Sequence, residues 1–323
     1  MARQARLDAP GTLHHVMVRG IERRRIVDGE QDLKEFVARL GAVARETATS
    51  VYAWALLTNH AHILLSSGVQ GLSKFMRRLL TGYAVTYNIR HRRHGHLFQN
   101  RYKSIVCDGD SYFTELVRYI HLNPLRVKLV KNINELERYP YCGHGVVTGR
   151  HRAAWQDRKY VLGWFGRRER EARKAYRQFV REGITLGRRP ELVGGGLVRS
   201  VGGWSEVVSL RRQGVKEITD ERILGSGDFV ERVLKEANEK KKGAYTARER
   251  KKKVKQLIVG RCKKGNVSVS ELKGGSRRGT IPRVRFEIAN SLVESYGLPL
   301  AEVAEQVGVS TSAISKALRR TEK

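Results

Sequence analysis

The first 130 positions alternate between stretches of strand-like and helix-like apolar spacing. Residues 13–20 (LHHVMVRG) have strand character and are closed by Gly20. Residues 32–47 carry Leu33, Phe36, Val37, Leu40 and Val43 at helical spacing, with Asp32 placed to cap the start. Residues 51–57 and 61–65 are short apolar runs around the polar hinge Thr58-Asn59, the pattern of a β-hairpin pair. A second amphipathic helix is predicted over 72–89, with Leu72, Phe75, Met76, Leu79, Leu80 and Tyr83 on its buried side. Residues 101–107 (RYKSIVC) predict a fourth strand and residues 111–129 a third helix. The first six elements give an α+β class with a ferredoxin-like, four-stranded antiparallel sheet backed by two helices.

Beyond residue 145 the pattern changes. Residues 146–215 form a basic, aromatic-rich extension that runs into a glycine-rich connector over 183–203. Its aromatics, Trp155, Tyr160, Trp164, Phe165, Tyr176 and Phe179, read as packing against the first domain at 9–145. Its basic face, including Arg167, Arg168, Arg170, Arg173, Lys174 and Arg177, has the chemistry to track phosphates. Residues 216–323 predict a helical region. Near 298–320 Val303, Ala304 and Val307 share an apolar face, Gly308 makes a turn, Ser310 caps, and Ile314 and Leu318 pack back. That is helix-turn-helix grammar, with Thr311, Ser312, Ser315 and Lys316 near the start of a recognition helix. A helical hairpin with no DNA role is the plainer alternative.

Charge narrows the partners. Lys plus Arg number 63 against 32 Asp plus Glu, a formal +31. Such an excess repels itself and makes sense opposite a polyanion. No apolar run approaches the ~18 residues of a membrane helix, and the N-terminus lacks a signal-peptide core, so nucleic acid is favoured over a membrane. Cys107, Cys142 and Cys262 are widely spaced and odd in number, which supports neither a disulfide framework nor a zinc spacing. A reducing, cytoplasmic setting follows.

The candidate chemistry sits in two places. His60 and His62 are two apart on a predicted strand, so both imidazoles point to one face and can meet one divalent metal. Taken alone, such a pair more often bonds to backbone or water at a strand edge. His14 and His15 are adjacent, so only one can face the core; they are strand residues near the site with no assigned role. Farther on, Tyr119 and Asn123 lie four apart on one helical face, and Pro124 disfavours helix at Asn123. The plainer alternative is a packed tyrosine beside a helix-ending asparagine. His91, His94 and His96 fall in an Arg-rich loop, which reads as a phosphate-contacting segment rather than a metal site. Its basic residues Arg92 and Arg93, with Arg101 and Lys103 just beyond, are candidate DNA contacts.

His60-Ala61-His62, HGHLFQNRYKS and RYIHLNPLR, in that order across residues 9–145, resemble the HUH superfamily of single-strand DNA endonucleases. Within it the similarity is to the single-tyrosine transposases, of the REP-associated, IS200-like kind. The resemblance implies metal ligands at His60 and His62, a third at Asn123, the nucleophile at Tyr119, and Mg2+ or Mn2+ as the cofactor. It implies cleavage and rejoining of single-stranded or hairpin DNA through a 5′-phosphotyrosine, with duplex DNA held by the helix-turn-helix. The C-terminal helices resemble, more loosely, the DNA-binding domain of the bacterial replication initiator. The rivals are a DNA-binding regulator with a vestigial nuclease site and an RNA-binding or RNA-processing protein. Oligomeric state is not legible from the sequence.

Overall fold

The structure is a computed structural model that describes residues 7–99, 101–187, 189, 192, 220–243, 247–276, 278–294, 298 and 300–320. Of the side chains in its helices, those of 238–243, 247–251, 294, 315, 316, 319 and 320 lie outside that description. The chain divides into two compact units, Met1–Ala237 and Asn238–Lys323.

In the first unit β1 (Leu13–Arg19) is followed by α1 (Glu30–Glu46), β2 (Ser50–Leu56), β3 (His60–Ser66), α2 (Gly71–Arg90), β4 (Lys103–Cys107) and α3 (Gly109–His121). Helix α1 starts two residues before the predicted cap. Asp32 instead occupies its third position and accepts the Asp28 and Gly29 N–H groups at 2.9 and 3.2 Å, satisfying donors that a helix start leaves orphaned. Strands β2, β3, β1 and β4 are antiparallel neighbours in that order, the ferredoxin-like arrangement. The sheet nevertheless has five strands. A two-residue strand, β5 (Ile223–Leu224), pairs parallel with β4 at Val106 and Cys107. Two residues are too few to show a period, but they cover part of an edge that would otherwise expose unpaired backbone.

Side-chain alternation sorts the sheet into two faces. Val16, Val18, Trp54, Leu56, Ile63 and Leu65 pack with Phe36 and Leu40 of α1 and Phe75, Met76 and Leu79 of α2. Ala53, Ala55, Leu64 and Ile105 pack with Phe113, Leu116, Val117 and Ile120 of α3. Each of these four helical side chains is essentially fully buried, worth about 1.5–3 kcal/mol apiece. Because both faces are covered, the expectation for the adjacent histidines fails: His14 and His15 are both fully buried. His14 is bonded to Asp8 on the α2 side at 3.2 Å, and His15 faces α3.

The third predicted helix is broken. After α3, Leu122 keeps helical angles and α4 (Asn123–Arg126) restarts immediately, because Pro124 has no N–H to continue the ladder. Further on come α5 (Ile133–Arg138), α6 (His144–Val147), α7 (Arg158–Gly163) and α8 (Glu169–Glu182). The extension packs as its aromatics predicted. Trp164 stacks on Phe113 with centroids 5.2 Å apart, Tyr160 lies 4.8 Å from Tyr52, and Trp155 lies 5.3 Å from Trp54. Tyr176 is fully buried, its hydroxyl 2.7 Å from both His121 Nδ1 and His144 Nδ1. Part of the basic face is committed to ion pairs, Arg177 with Glu137 at 2.8 Å and Arg173 with Glu169 at 3.7 Å. Of the glycine-rich connector, residues 193–203 lie outside the described residues.

Helix α9 (Gly227–Gly243) begins in the first unit, where Val230 packs on Val106 and Ile223. The second unit contains α10 (Ala247–Lys264), α11 (Val269–Lys273), α12 (Ile281–Glu294), α13 (Leu300–Val307) and α14 (Thr311–Arg320). Val303, Ala304, Val307 and Ile314 share its core with Leu272, Ile288 and Leu292. Gly308 turns the chain between α13 and α14 at φ +68°, with Lys273 O only 1.9 Å from where a Cβ would sit, so glycine is required there. Ser310 Oγ then accepts the Ala313 N–H at 3.2 Å, an N-terminal cap for α14. Buried Arg285 donates to the carbonyls of Val307, Ser276 and Leu272 at 3.0, 2.8 and 2.8 Å. Among the described residues no helix is long and apolar enough to cross a membrane.

Candidate active site

Strand register builds the site. His60 lies opposite Arg19, and His62 opposite Met17 on β1 and Ala55 on β2. Both imidazoles therefore share the α3 face, as the two-residue spacing predicted, with centroids 5.2 Å apart. Tyr119 enters from α3, half-buried, its ring 5.8 Å from His62. Leu116 and Ile120, one turn before Tyr119 and next to it, seat the helix on the sheet.

His15 completes the cluster. It lies opposite Leu64, diagonal to His62, with its Nε2 2.9 Å from His62 Nδ1 and its ring 6.0 Å from Tyr119. Its part in the site escaped the sequence because it is 47 residues from His62. The only local signal was a histidine in the first strand.

The imidazoles are held neutral. Burial, with the Lys103 charge adding, takes His15 down to about 4, against the opposing Leu192 backbone. Burial and the Arg19 charge take His60 down to about 4. His62 falls well below the ordinary histidine range through burial and its neighbours His15, His60 and Arg19. Neutral imidazole is the form that ligates a metal.

Asn123 is buried on the same helical side as Tyr119, and its Nδ2 donates to the Tyr119 carbonyl at 2.9 Å. The amide nitrogen is thus engaged, which leaves the oxygen as the atom able to ligate. Arg126, one turn on, donates to that same carbonyl at 3.2 Å and lies over the Tyr119 ring, 5.1 Å from its centroid. The sequence held Arg126 within RYIHLNPLR but gave it no role. Among the described residues no group of three or more His, Cys, Asp or Glu side chains is arranged to hold a metal ion. By donor chemistry alone, His60, His62 and the Asn123 amide oxygen would suit one: two neutral nitrogen donors and one neutral oxygen donor.

The predicted DNA contacts are placed as follows. Arg92 is exposed in the turn after α2, and Arg93 lies 5.7 Å over the Tyr87 ring. Arg101 and Lys103 are exposed, and Lys103 sits opposite Met17 on the site face. Between them Phe98 bridges Gly20, and Gln99 N–H donates to Arg19 O at 2.8 Å, so this segment runs along the end of β1 beside His60. His91, by contrast, bonds to Asp32 at 2.9 Å, a structural role. Thr311 and Ser312 are exposed at the start of α14, while the side chains of Ser315 and Lys316 lie outside the described residues.

Residues 11–123 match the family described as "Transposase IS200 like". Two solved structures are similar. One is a REP-associated tyrosine transposase bound to a REP hairpin, at 19% identity, covering 48% of this chain and 91% of that one, TM-score 0.38. The other, from Deinococcus radiodurans R1, is described as a transposase, at 15% identity, covering 36% and 93%, TM-score 0.27. No curated protein matches the chain.

Proposed function

We propose that the first unit is a metal-dependent transposase that cleaves and rejoins single-stranded DNA, at a hairpin or inverted repeat, with Tyr119 as nucleophile. The observation that carries this reading is the meeting of two neutral imidazoles on β3 with a half-buried phenol on α3, the rings of His62 and Tyr119 being 5.8 Å apart. The match of residues 11–123 to the IS200-like transposase family supports it.

His60, His62 and the Asn123 oxygen would hold Mg2+ or Mn2+, which supplies Lewis-acid polarisation of the scissile phosphate. Tyr119 Oη attacks phosphorus in line, the new P–O(Tyr) bond forms, and the P–O3′ bond breaks. The phenol gives up its proton and the departing 3′ oxygen takes one up, leaving a 5′-phosphotyrosine and a 3′-hydroxyl. The phosphodiester energy is conserved, so the reverse attack by a 3′-hydroxyl rejoins DNA without a nucleotide cofactor. A phenol with an ordinary pKa near 10 needs help to attack at neutral pH. Arg126 over the ring places a positive charge beside that phenol. Arg92, Arg93, Arg101 and Lys103 would bind the phosphates of the strand. Thr311, Ser312, Ser315 and Lys316 would contact duplex DNA from the second unit.

The test is covalent capture. Hairpin DNA with Mg2+ or Mn2+ should yield a denaturation-resistant adduct, mapped by mass spectrometry to Tyr119 on the 5′ side of the break. Tyr119→Phe keeps the ring and its packing and should yield none. An adduct on another residue, or a nick with a free 5′-phosphate, removes the assignment.

A further inference from the structure

Two hydrogen bonds beside the imidazoles bear on which ring nitrogen of each carries the proton. Asn59 Oδ1 lies 2.6 Å from His60 Nδ1, and Asn59 Nδ2 donates to the Arg23 carbonyl at 3.0 Å. A main-chain carbonyl only accepts, so the amide nitrogen must face Arg23 and the amide oxygen must face His60. An amide oxygen also only accepts. His60 Nδ1 must therefore carry the hydrogen, and Nε2 keeps its lone pair.

Around Asn59 the chain is pinned. Its own carbonyl accepts the Gly20 N–H at 2.9 Å, and Thr58 O accepts the Ile26 N–H at 2.8 Å. The hinge between the strands is therefore held by the segment that follows β1, and the side-chain amide is held in turn by its bond to the Arg23 carbonyl.

His62 has the equivalent partner in His15, Nε2 to Nδ1 at 2.9 Å and both rings buried. Two neutral imidazoles share one proton along this line. If His62 Nδ1 donates, His62 Nε2 has its lone pair for a cation. If His15 Nε2 donates, His62 Nε2 carries a hydrogen and cannot ligate. A cation at the site selects the first arrangement, and His15 is the acceptor that makes it available.

We propose that Asn59 and His15 are positioning residues which fix His60 and His62 as Nδ1–H tautomers, presenting both Nε2 atoms to one divalent cation. This rests on the metal reading above. The partner of a ligating histidine's second nitrogen typically governs affinity by about 10- to 100-fold. The two partners act from different directions, Asn59 from the hairpin hinge and His15 from the neighbouring strand. Neither needs to touch the cation.

The experiment measures Mn2+ binding by the full-length protein, without DNA, using electron paramagnetic resonance titration. His60→Ala reports the direct contribution of a ligand. Asn59→Leu and His15→Leu should each weaken binding by about 10- to 100-fold. Asn59→Asp, which keeps an acceptor facing Nδ1, should remain within about threefold of the unsubstituted protein, a rescue that a purely structural role does not predict. Circular dichroism checks folding, and if His15→Leu fails to fold, the contrast between Asn59→Leu and Asn59→Asp decides. Loss of binding in His60→Ala with undiminished binding in Asn59→Leu and His15→Leu overturns the inference and leaves the proposed function standing. No Mn2+ binding by the unsubstituted protein overturns both.

Discussion

Lowering the pH from 7 to 5 should destabilise the first unit through the buried cluster of His121, Tyr176 and His144. Burial, with the Arg177 charge adding, takes His144 down to about 3, whereas an unfolded histidine titrates near 6.5. Its folded value is depressed. The native advantage of the neutral ring is therefore full above about pH 6.5 and is lost as pH falls towards the folded value. Between pH 7 and 5 the unfolded chain binds nearly one extra proton at this position, a loss of about 2 kcal/mol. His121, lowered well below the ordinary range by burial and by His144, adds in the same direction. Set against a typical total of about 5–15 kcal/mol, this is a large share. The assay is urea unfolding followed by far-UV circular dichroism, where a 2 kcal/mol loss at a slope of ~1–3 kcal/mol/M moves the midpoint by roughly 1 M. Tyr176→Phe removes the hydroxyl that bonds both rings and should cost about 1–3 kcal/mol at pH 7. An unchanged midpoint at pH 5 would refute the reasoning.

Three further outcomes are expected. His60→Ala and His62→Ala should abolish strand cleavage while hairpin binding, measured by gel shift, stays largely intact, because the basic surface supplies most of the affinity; undiminished cleavage by the double variant counts against the metal site. Arg285→Leu strips three carbonyls of their donor and should destabilise the second unit by roughly 3 kcal/mol, seen as about 100-fold faster amide exchange in α12. A chain ending at Gly243 should lose site choice on duplex DNA yet still cleave single-stranded hairpins; loss of the chemistry in that folded truncation breaks the two-module reading.

Local periodicity determined a good part of this protein. The period of two in β3 puts His60 and His62 on one face whatever surrounds them, and the period of 3.6 in α3 puts Tyr119 and Asn123 on one side. Gly308 and Ser310 announce their turn and cap through backbone angle and hydroxyl, which are also local properties. What the sequence left open depends on register and on partners far along the chain. His15 joins the site because β1 pairs with β3 so that Met17 meets His62. Both adjacent histidines are buried because helices cover both faces of the sheet. Asn59 acquires its orientation only from the Arg23 carbonyl, and the packing around α3 and α4 decides that Arg126 lies over the Tyr119 ring. The two residues of β5 carry no period of their own and become a strand solely by meeting the edge of β4. Spacing along the chain chose which side chains could cooperate; the tertiary structure chose the partners that fix their protons, because those hydrogen bonds join atoms that no local repeat relates.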